Sequence, residues 1–495
     1  MAAASPSEVD LLVLGGGAGG LTAARQGRRL GATVVLVTDG PLGGDCTWTG
    51  CIPSKALLAA AAGGASFDEA LRRVEHAVQA VAATENEATL AAEGIRVIQG
   101  HGVLRAPGHL EVDGTTVRAR RTVIATGGKA GIPDVPGLDS LTVLTNDTIF
   151  ERRPQPTSLA VLGGGAIGCE LAQAFARLGT KVTVIEALPR LLAREEPETS
   201  AAITTALQGD GVIVLVGSTV VRAAATHGGA SLHLADGTVV EAQHVLVAAG
   251  RTPSSSGMGL ETIGVKVDER GHVVVDPHLL TSVAGTYAIG DVTAGLQLTH
   301  VAARMAFVAA NNALGSGVRH RPKVFDDRVI PRATFTSPEV GRVGLTEAEA
   351  AALGPARVAY MALAHVDRAV AVGETNGFVK LIAGRRRLLG SAGGGRILGQ
   401  PWWLPPEATS STKWRWPCKP ICSPGGWPKR FTPIRHGPWL SNRRHCSSSC
   451  PSTASVPDRR RGHHRDVVLP ERRGRGVGAR FRRRGQRIVC GRRGQ

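Results

Sequence analysis

The chain of 495 residues carries a formal net charge of +18, yet residues 1–399 are balanced at 36 basic and 36 acidic side chains. The last 96 residues hold the entire excess, 22 against 4, so the basic character gives the larger part no attraction to nucleic acid or acidic lipid. The length allows two or three domains, and no apolar run reaches the ~18 residues of a membrane span.

Residues 1–10 lack a basic segment followed by an apolar core, so no secretory signal is expected and the cytoplasm is the expected compartment. The apolar run from Val9 to Leu14 predicts a strand that enters Gly15-Gly16-Gly17-Ala18-Gly19-Gly20 and then a helical stretch to Leu30. Gly15, Gly17 and Gly20 have G-x-G-x-x-G spacing, in which missing side chains let a pyrophosphate approach backbone N–H groups at a helix N-terminus. A second strand is predicted at residues 33–37.

The most specific chemistry follows, in Gly43-Gly44-Asp45-Cys46-Thr47-Trp48-Thr49-Gly50-Cys51-Ile52-Pro53-Ser54-Lys55. A disulfide needs Cα atoms within about 7 Å, whereas five residues of continuous helix rise about 7.5 Å. Cys46 to Cys51 is therefore read as a bent loop, with Gly50 at the bend and Pro53 in the first turn of a helix. Cys51 then sits at a positive helix end near Lys55, and both favour a thiolate. In a reducing compartment such a pair suits redox exchange better than stapling. Two unpaired buried thiols, or half of a metal site, are the plainer alternatives.

Residues 67–93 predict a helix, with Leu71, Val74, Val78 and Val81 on one face. Short strands lead to Thr122-Val123-Ile124-Ala125-Thr126-Gly127-Gly128. A second strand, glycine turn and helix begin at Ser158, with Gly163, Gly165 and Gly168 in the same spacing and a next strand ending in Glu186. Two such units in one chain imply two dinucleotides. Glu186 would accept hydrogen bonds from a free ribose 2′-hydroxyl and repel a 2′-phosphate, which points to NADH, although Arg190 and Arg194 stand close enough in sequence to keep NADPH possible.

These segments resemble the FAD-dependent pyridine nucleotide-disulfide oxidoreductases, the family of lipoamide dehydrogenase, glutathione reductase and mercuric reductase. The resemblance runs from residue 8 to about 399. It implies an α/β fold with two Rossmann-like dinucleotide-binding domains, for FAD and NAD, plus a truncated α+β dimerisation domain. The implied layout is FAD domain 1–150, NAD domain 151–275, FAD domain again 276–325 and an incomplete dimerisation domain 326–399; residues 400–495 are expected to be an out-of-frame, disordered basic tail.

By the same resemblance Cys51 lies next to the flavin, and Cys46 is the exchange thiol that meets the substrate. Lys55 and Glu170 match an ion pair beside the flavin. Gly44, Thr126, Gly127, Gly290 and Asp291 fall in flavin-binding segments, with Asp291 on the sugar-phosphate part. Thr38 occupies the place of the usual acidic ribose ligand, and Asp39 follows it. Gly250 and Arg251 close the NAD domain, while residues 332–341 and 377–381 resemble strands of the domain that builds a homodimer. The implied reaction passes electrons from NAD(P)H through FAD to Cys46 and Cys51 and on to a small-molecule disulfide or metal ion. The Asp45 and Trp48 variant of the redox motif looks mercuric reductase-like. A lipoamide dehydrogenase-like activity is one alternative, and a flavin- and NADH-binding protein without disulfide turnover is the other. No resident metal is expected.

Near Gly399 the character changes: six of seven tryptophans, five of eight cysteines and 19 arginines fall in the last 96 residues. Cys418, Cys422, Cys446 and Cys450 with His436 and His445 allow a zinc reading, and arginine runs at 459–461 and 482–484 a nucleic-acid reading. A shifted reading frame explains more. With each codon starting one base earlier, residues 412–433 permit an amphipathic helical sequence ending in His-Pro, which resembles the lost end of the dimerisation domain. The expected cause is one base missing near codon 399, which removes the histidine that serves the exchange thiol as its base.

Overall fold

A computed structural model describes residues 8–151, 154–315, 321–373, 375–385 and 396–404. The zinc, nucleic-acid and His-Pro readings of the tail lie outside the described residues.

The first body is built on a parallel sheet whose buried strands alternate with helices. Val34–Thr38 and Thr115–Ile124 flank Val9–Leu14, with Ile95–Gln99 beyond the former and Thr286–Ala288 beside the latter. Leu11, Leu12 and Val13 are fully buried, as expected of a strand covered on both faces. The helices Ala18–Arg29 and Thr299–Leu314 pack together over one face, while an antiparallel extension, Gly102–Ala106 with His109–Val112, continues from Thr115–Ile124. The single helix expected at residues 67–93 is two, Phe67–Ala82 and Glu87–Ala92. Asn86 starts the second by accepting the Thr89 N–H, a local cap that outranks the continuous apolar pattern.

The second body repeats the plan with strands in the order Ile213–Val216, Lys181–Glu186, Ser158–Leu162, His244–Val247, all parallel. Its boundaries differ from the 151–275 expected. Leu138 is buried with Ala160 and Leu232, and Leu144 bridges to Leu246, so this body already begins before residue 140. It ends near residue 250, because Arg251–Pro253 pairs with Gly128–Ala130, and Met258, Leu260, Val265 and Val273 are buried against Leu12 and Leu14 of the first body. These crossings are short, irregular segments with no periodicity to betray which core they join.

The third body is an antiparallel sheet in the order Pro331–Thr334, Glu339–Gly344, Arg396–Leu404, Phe378–Gly384, Ala356–Ala362. Its central strand passes the boundary expected at 399 and runs to Leu404. One apolar core joins all three bodies, since Leu57, Phe175, Phe378 and Trp403 belong to it. Phe67 and Phe175 meet within it, ring centroids 5.9 Å apart. Among the described residues no helix is long and apolar enough to cross a membrane.

Candidate active site

The two glycine loops share one construction. Gly15 has φ +105°, and a Cβ on Gly20 would fall 1.8 Å from the Gly15 carbonyl oxygen. Gly163 has φ +111°, and a Cβ on Gly168 would fall 1.9 Å from the Gly163 carbonyl oxygen. Only glycine meets those requirements. The middle glycines are different: a Cβ on Gly165 would touch nothing within 4 Å, and one on Gly17 only the Gly44 Cα at 3.9 Å. Gly17 and Gly165 precede the helices Ala18–Arg29 and Ala166–Arg177 without any side-chain cap. Each helix start thus offers unpartnered N–H groups and room for a pyrophosphate.

Glu186 stands beside the second loop, its Oε2 accepting the Gly164 N–H at 2.6 Å and its Oε1 the Leu188 N–H at 2.7 Å. Arg190 donates to the carbonyls of Ala193 and Glu195, so its guanidinium is already engaged. Arg194 lines a cavity of about 570 Å³ with Arg251, Arg270 and His272. At the first loop Thr38 is buried and donates to the Gly40 carbonyl, while the exposed Asp39 lies 3.1 Å from His101 Nδ1.

The cysteine segment forms two helices, Gly44–Trp48 and Cys51–Ala62, that meet at Thr49 and Gly50. A Cβ on Gly50 would lie 2.7 Å from the Asp45 carbonyl oxygen, which accounts for glycine at the bend. The segment is docked on the first glycine loop by backbone alone: Gly43 N–H donates to the Gly16 carbonyl at 2.9 Å, and Gly43 bridges Gly17. The place of the cysteines relative to the first dinucleotide loop is therefore fixed without side chains.

Both Cys46 and Cys51 are free thiols in this structure, and Cys51 Sγ lies 3.2 Å from Thr299 Oγ1. The Cys51 thiol is lowered to about 6 by the hydrogen bond from Cys46, then by the Lys55 ammonium and the Thr299 hydroxyl, against the opposing effect of burial. The Cys46 thiol is raised, because it donates that hydrogen bond and is itself buried. Both shifts favour a reduced pair that shares one proton, with the negative charge on the Lys55 side.

Lys55 Nζ lies 2.8 Å from Glu170 Oε2 and 4.6 Å above the Phe335 ring. Glu170 is 4% exposed, and its other oxygen accepts the Phe335 N–H at 2.8 Å, so all three bodies meet at one carboxylate. Removing one partner from such a buried pair costs roughly 3 to 5 kcal/mol. One turn on, Gln173 is fully buried and holds Ser337 by both its N–H and its carbonyl.

Arg251 joins two acidic groups, with Nε 2.9 Å from Asp291 and a direct pair to Asp45 in the redox segment. Burial raises the Asp291 carboxyl, and Arg251 only partly offsets the rise. Thr126 donates to the Ser254 carbonyl, and Gly127, Gly250 and Gly290 turn with φ of +72°, +138° and +73°. Thr299, Asp45 as a partner of Arg251, and Gln173 were not found from sequence. Thr299 opens an apolar helix 248 residues from Cys51, and a threonine in that place carries no chemical signal of its own.

The chain matches the family described as pyridine nucleotide-disulphide oxidoreductase over residues 9–306 and its dimerisation domain over residues 330–399. It is similar to a mercuric reductase of Streptomyces lividans, 40% identical over 404 residues that cover 76% of this chain and 84% of that one. It is also similar to a dihydrolipoyl dehydrogenase of Chlorobaculum tepidum, 33% identical over 431 residues, covering 79% and 88%. Among solved structures it resembles the Cu(II) complex of the HOCl-induced flavoprotein disulfide reductase RclA from Escherichia coli, with a TM-score of 0.73 and 29% identity over 81% of this chain and 90% of that one. Two matched glycine loops, a cysteine pair docked on the first of them, and these likenesses agree that the chain belongs to the flavoprotein pyridine nucleotide-disulphide oxidoreductases.

Proposed function

We propose that this enzyme passes electrons from NADH through FAD to Cys46 and Cys51 and on to a thiophilic metal ion, as a mercuric reductase-like protein. The observation that carries the reading is the placement of Cys46 and Cys51 on two helices beside the first glycine loop, with Cys51 Sγ 3.2 Å from Thr299 Oγ1 and Lys55 held on Glu170. Gly15, Gly17, Gly20, Gly44, Thr126, Gly127, Gly290 and Asp291 would hold FAD, which when bound accepts a hydride and releases two electrons. Gly163, Gly165 and Gly168 would receive the NADH pyrophosphate, and Glu186 the ribose hydroxyls. The engagement of Arg190 with carbonyls supports NADH over NADPH.

Lys55 keeps Cys51 ionised, and Thr299 orients its sulfur. Hg(II) binding to both sulfurs would displace the proton from Cys46. One NADH then supplies the two electrons that convert Hg(II) to Hg(0), and NAD⁺ and one proton are the other products. A disulfide substrate asks for more, because its departing thiolate needs a proton donor. Among the described residues the Cys46 thiol is acted on by Cys51, Thr299 and Glu85. The Cu(II) complex of the Escherichia coli relative supports a metal acceptor. Lipoamide turnover is the alternative carried by the dihydrolipoyl dehydrogenase likeness. NADH-dependent release of mercury vapour from Hg(II) by the purified protein, lost in Cys46→Ala, is the expected result. Oxidation of dihydrolipoamide without Hg(II) reduction would reverse the assignment.

A cytoplasmic homodimer is part of the same proposal. Its missing piece is the His-Pro segment that a single base restored near codon 399 would return, so thiol-disulfide turnover in the present chain is expected to be poor.

A further inference from the structure

A charge cluster joins the second body to the third. Lys380 is 3% exposed, and its Nζ gathers Glu196, Glu198 and Glu347 at 3.0, 2.9 and 2.8 Å. Glu196, 2% exposed, also accepts the Glu347 N–H at 2.7 Å. Arg342, 1% exposed, stands 3.1 Å from both Glu195 and Glu349. Lys380 lies on the strand Phe378–Gly384 and Arg342 on Glu339–Gly344, whereas Glu195 and Glu196 end the segment that follows Glu186.

That segment is folded onto the second glycine loop. The Leu192 N–H donates to the Gly164 carbonyl at 2.8 Å, and a Cβ on Gly164 would meet Leu191 Cδ2 at 2.4 Å. Leu192 adopts φ +46°, a conformation an L-leucine keeps only where its surroundings impose it. The Glu195 N–H donates to the Leu192 carbonyl at 2.8 Å, closing the turn immediately before the two clamped carboxylates. One end of residues 186–196 therefore touches the nucleotide loop through Glu186 and Leu192, and the other is held by the third body.

We infer that Lys380 and Arg342 are positioning residues for NADH: by holding Glu195 and Glu196 they set residues 186–194 and, through Leu192 and Glu186, the shape of the loop at 163–168. The dimerisation domain thereby governs nucleotide affinity through residues 186–196. The inference rests on the reading of that loop as the NADH site.

The test uses the full flavin-loaded chain and ADP-ribose, which carries the nucleotide without the reacting ring, measured by calorimetry. Lys380→Met should bind it at least tenfold more weakly and raise KM for NADH with kcat within twofold. Residues 188–194 should exchange amide hydrogens faster, and Lys380→Arg should recover most of the affinity. Glu347→Gln leaves Glu196 and Glu198 on Lys380, and should give a smaller loss in the same direction even where Lys380→Met does not fold. Unchanged ADP-ribose affinity in folded Lys380→Met, or in Glu347→Gln should the former not fold, would overturn the inference. So would equal falls in kcat and in affinity that arginine does not rescue. A wild-type chain that binds no ADP-ribose would instead overturn the nucleotide reading, and the inference with it.

Discussion

With its thiol lowered to about 6, Cys51 is protonated below that pH and carries its charge above it, so the reduced pair gains its thiolate across the interval from about pH 5 to 7. The thiolate absorbance of the reduced wild type, less that of Cys51→Ser, should rise with a midpoint near 6. Lys55→Met removes a cation that favours the anion and should move the midpoint upward; a wild-type midpoint in the ordinary thiol range would contradict the assignment. Glu186→Ala should reduce the preference for NADH over NADPH by about 1.5 to 3 kcal/mol, on the order of tenfold to a hundredfold in the efficiency ratio. An unchanged ratio would show that this carboxylate does not choose the nucleotide. Cys46, Cys51 and Lys55 could be read from sequence because their spacing on a helix start is local. Glu170, 115 residues from Lys55, was named as its partner by the family resemblance, whereas Thr299, 248 residues from Cys51, carried no such signal and only the fold brings it there.

The glycine loops were legible at the scale of the element because strand, turn and helix follow one another without interruption. Their identical geometry allows a paired prediction. Gly20→Ala places a methyl on the Gly15 carbonyl and should yield protein without flavin. Gly168→Ala does the same at Gly163 and should yield yellow protein that NADH no longer bleaches. Equal flavin loss in both would mean that the two loops do not serve separate ligands. The split of the helix at residues 83–86 was not legible, since Asn86 interrupts an apolar stripe that continues on both sides. Nor was the extension of the last strand to Leu404. Strand pairing uses backbone groups, and Trp403 fills the core beside Val340 and Phe378 although its buried indole N–H has no partner among the described residues.

Three bodies share one apolar core and meet at Glu170, so order in the third reaches the chemistry of the first two. The domain plan was legible because two glycine units and a redox motif occur in a fixed order. The boundaries near 140 and 250 were not, because the crossing segments pair as short irregular strands. A chain with one base inserted near codon 399 should sediment as a dimer and turn over disulfides, and the 495-residue form should do neither well. A stable, active dimer of the 495-residue form would sink the frame reading. Anaerobic reductive titration with dithionite reads whether a flavin and the Cys46–Cys51 pair form one redox unit. The wild type should take up about four electrons per flavin and Cys46→Ala about two; about two in both would show that the cysteines do not exchange electrons with the flavin.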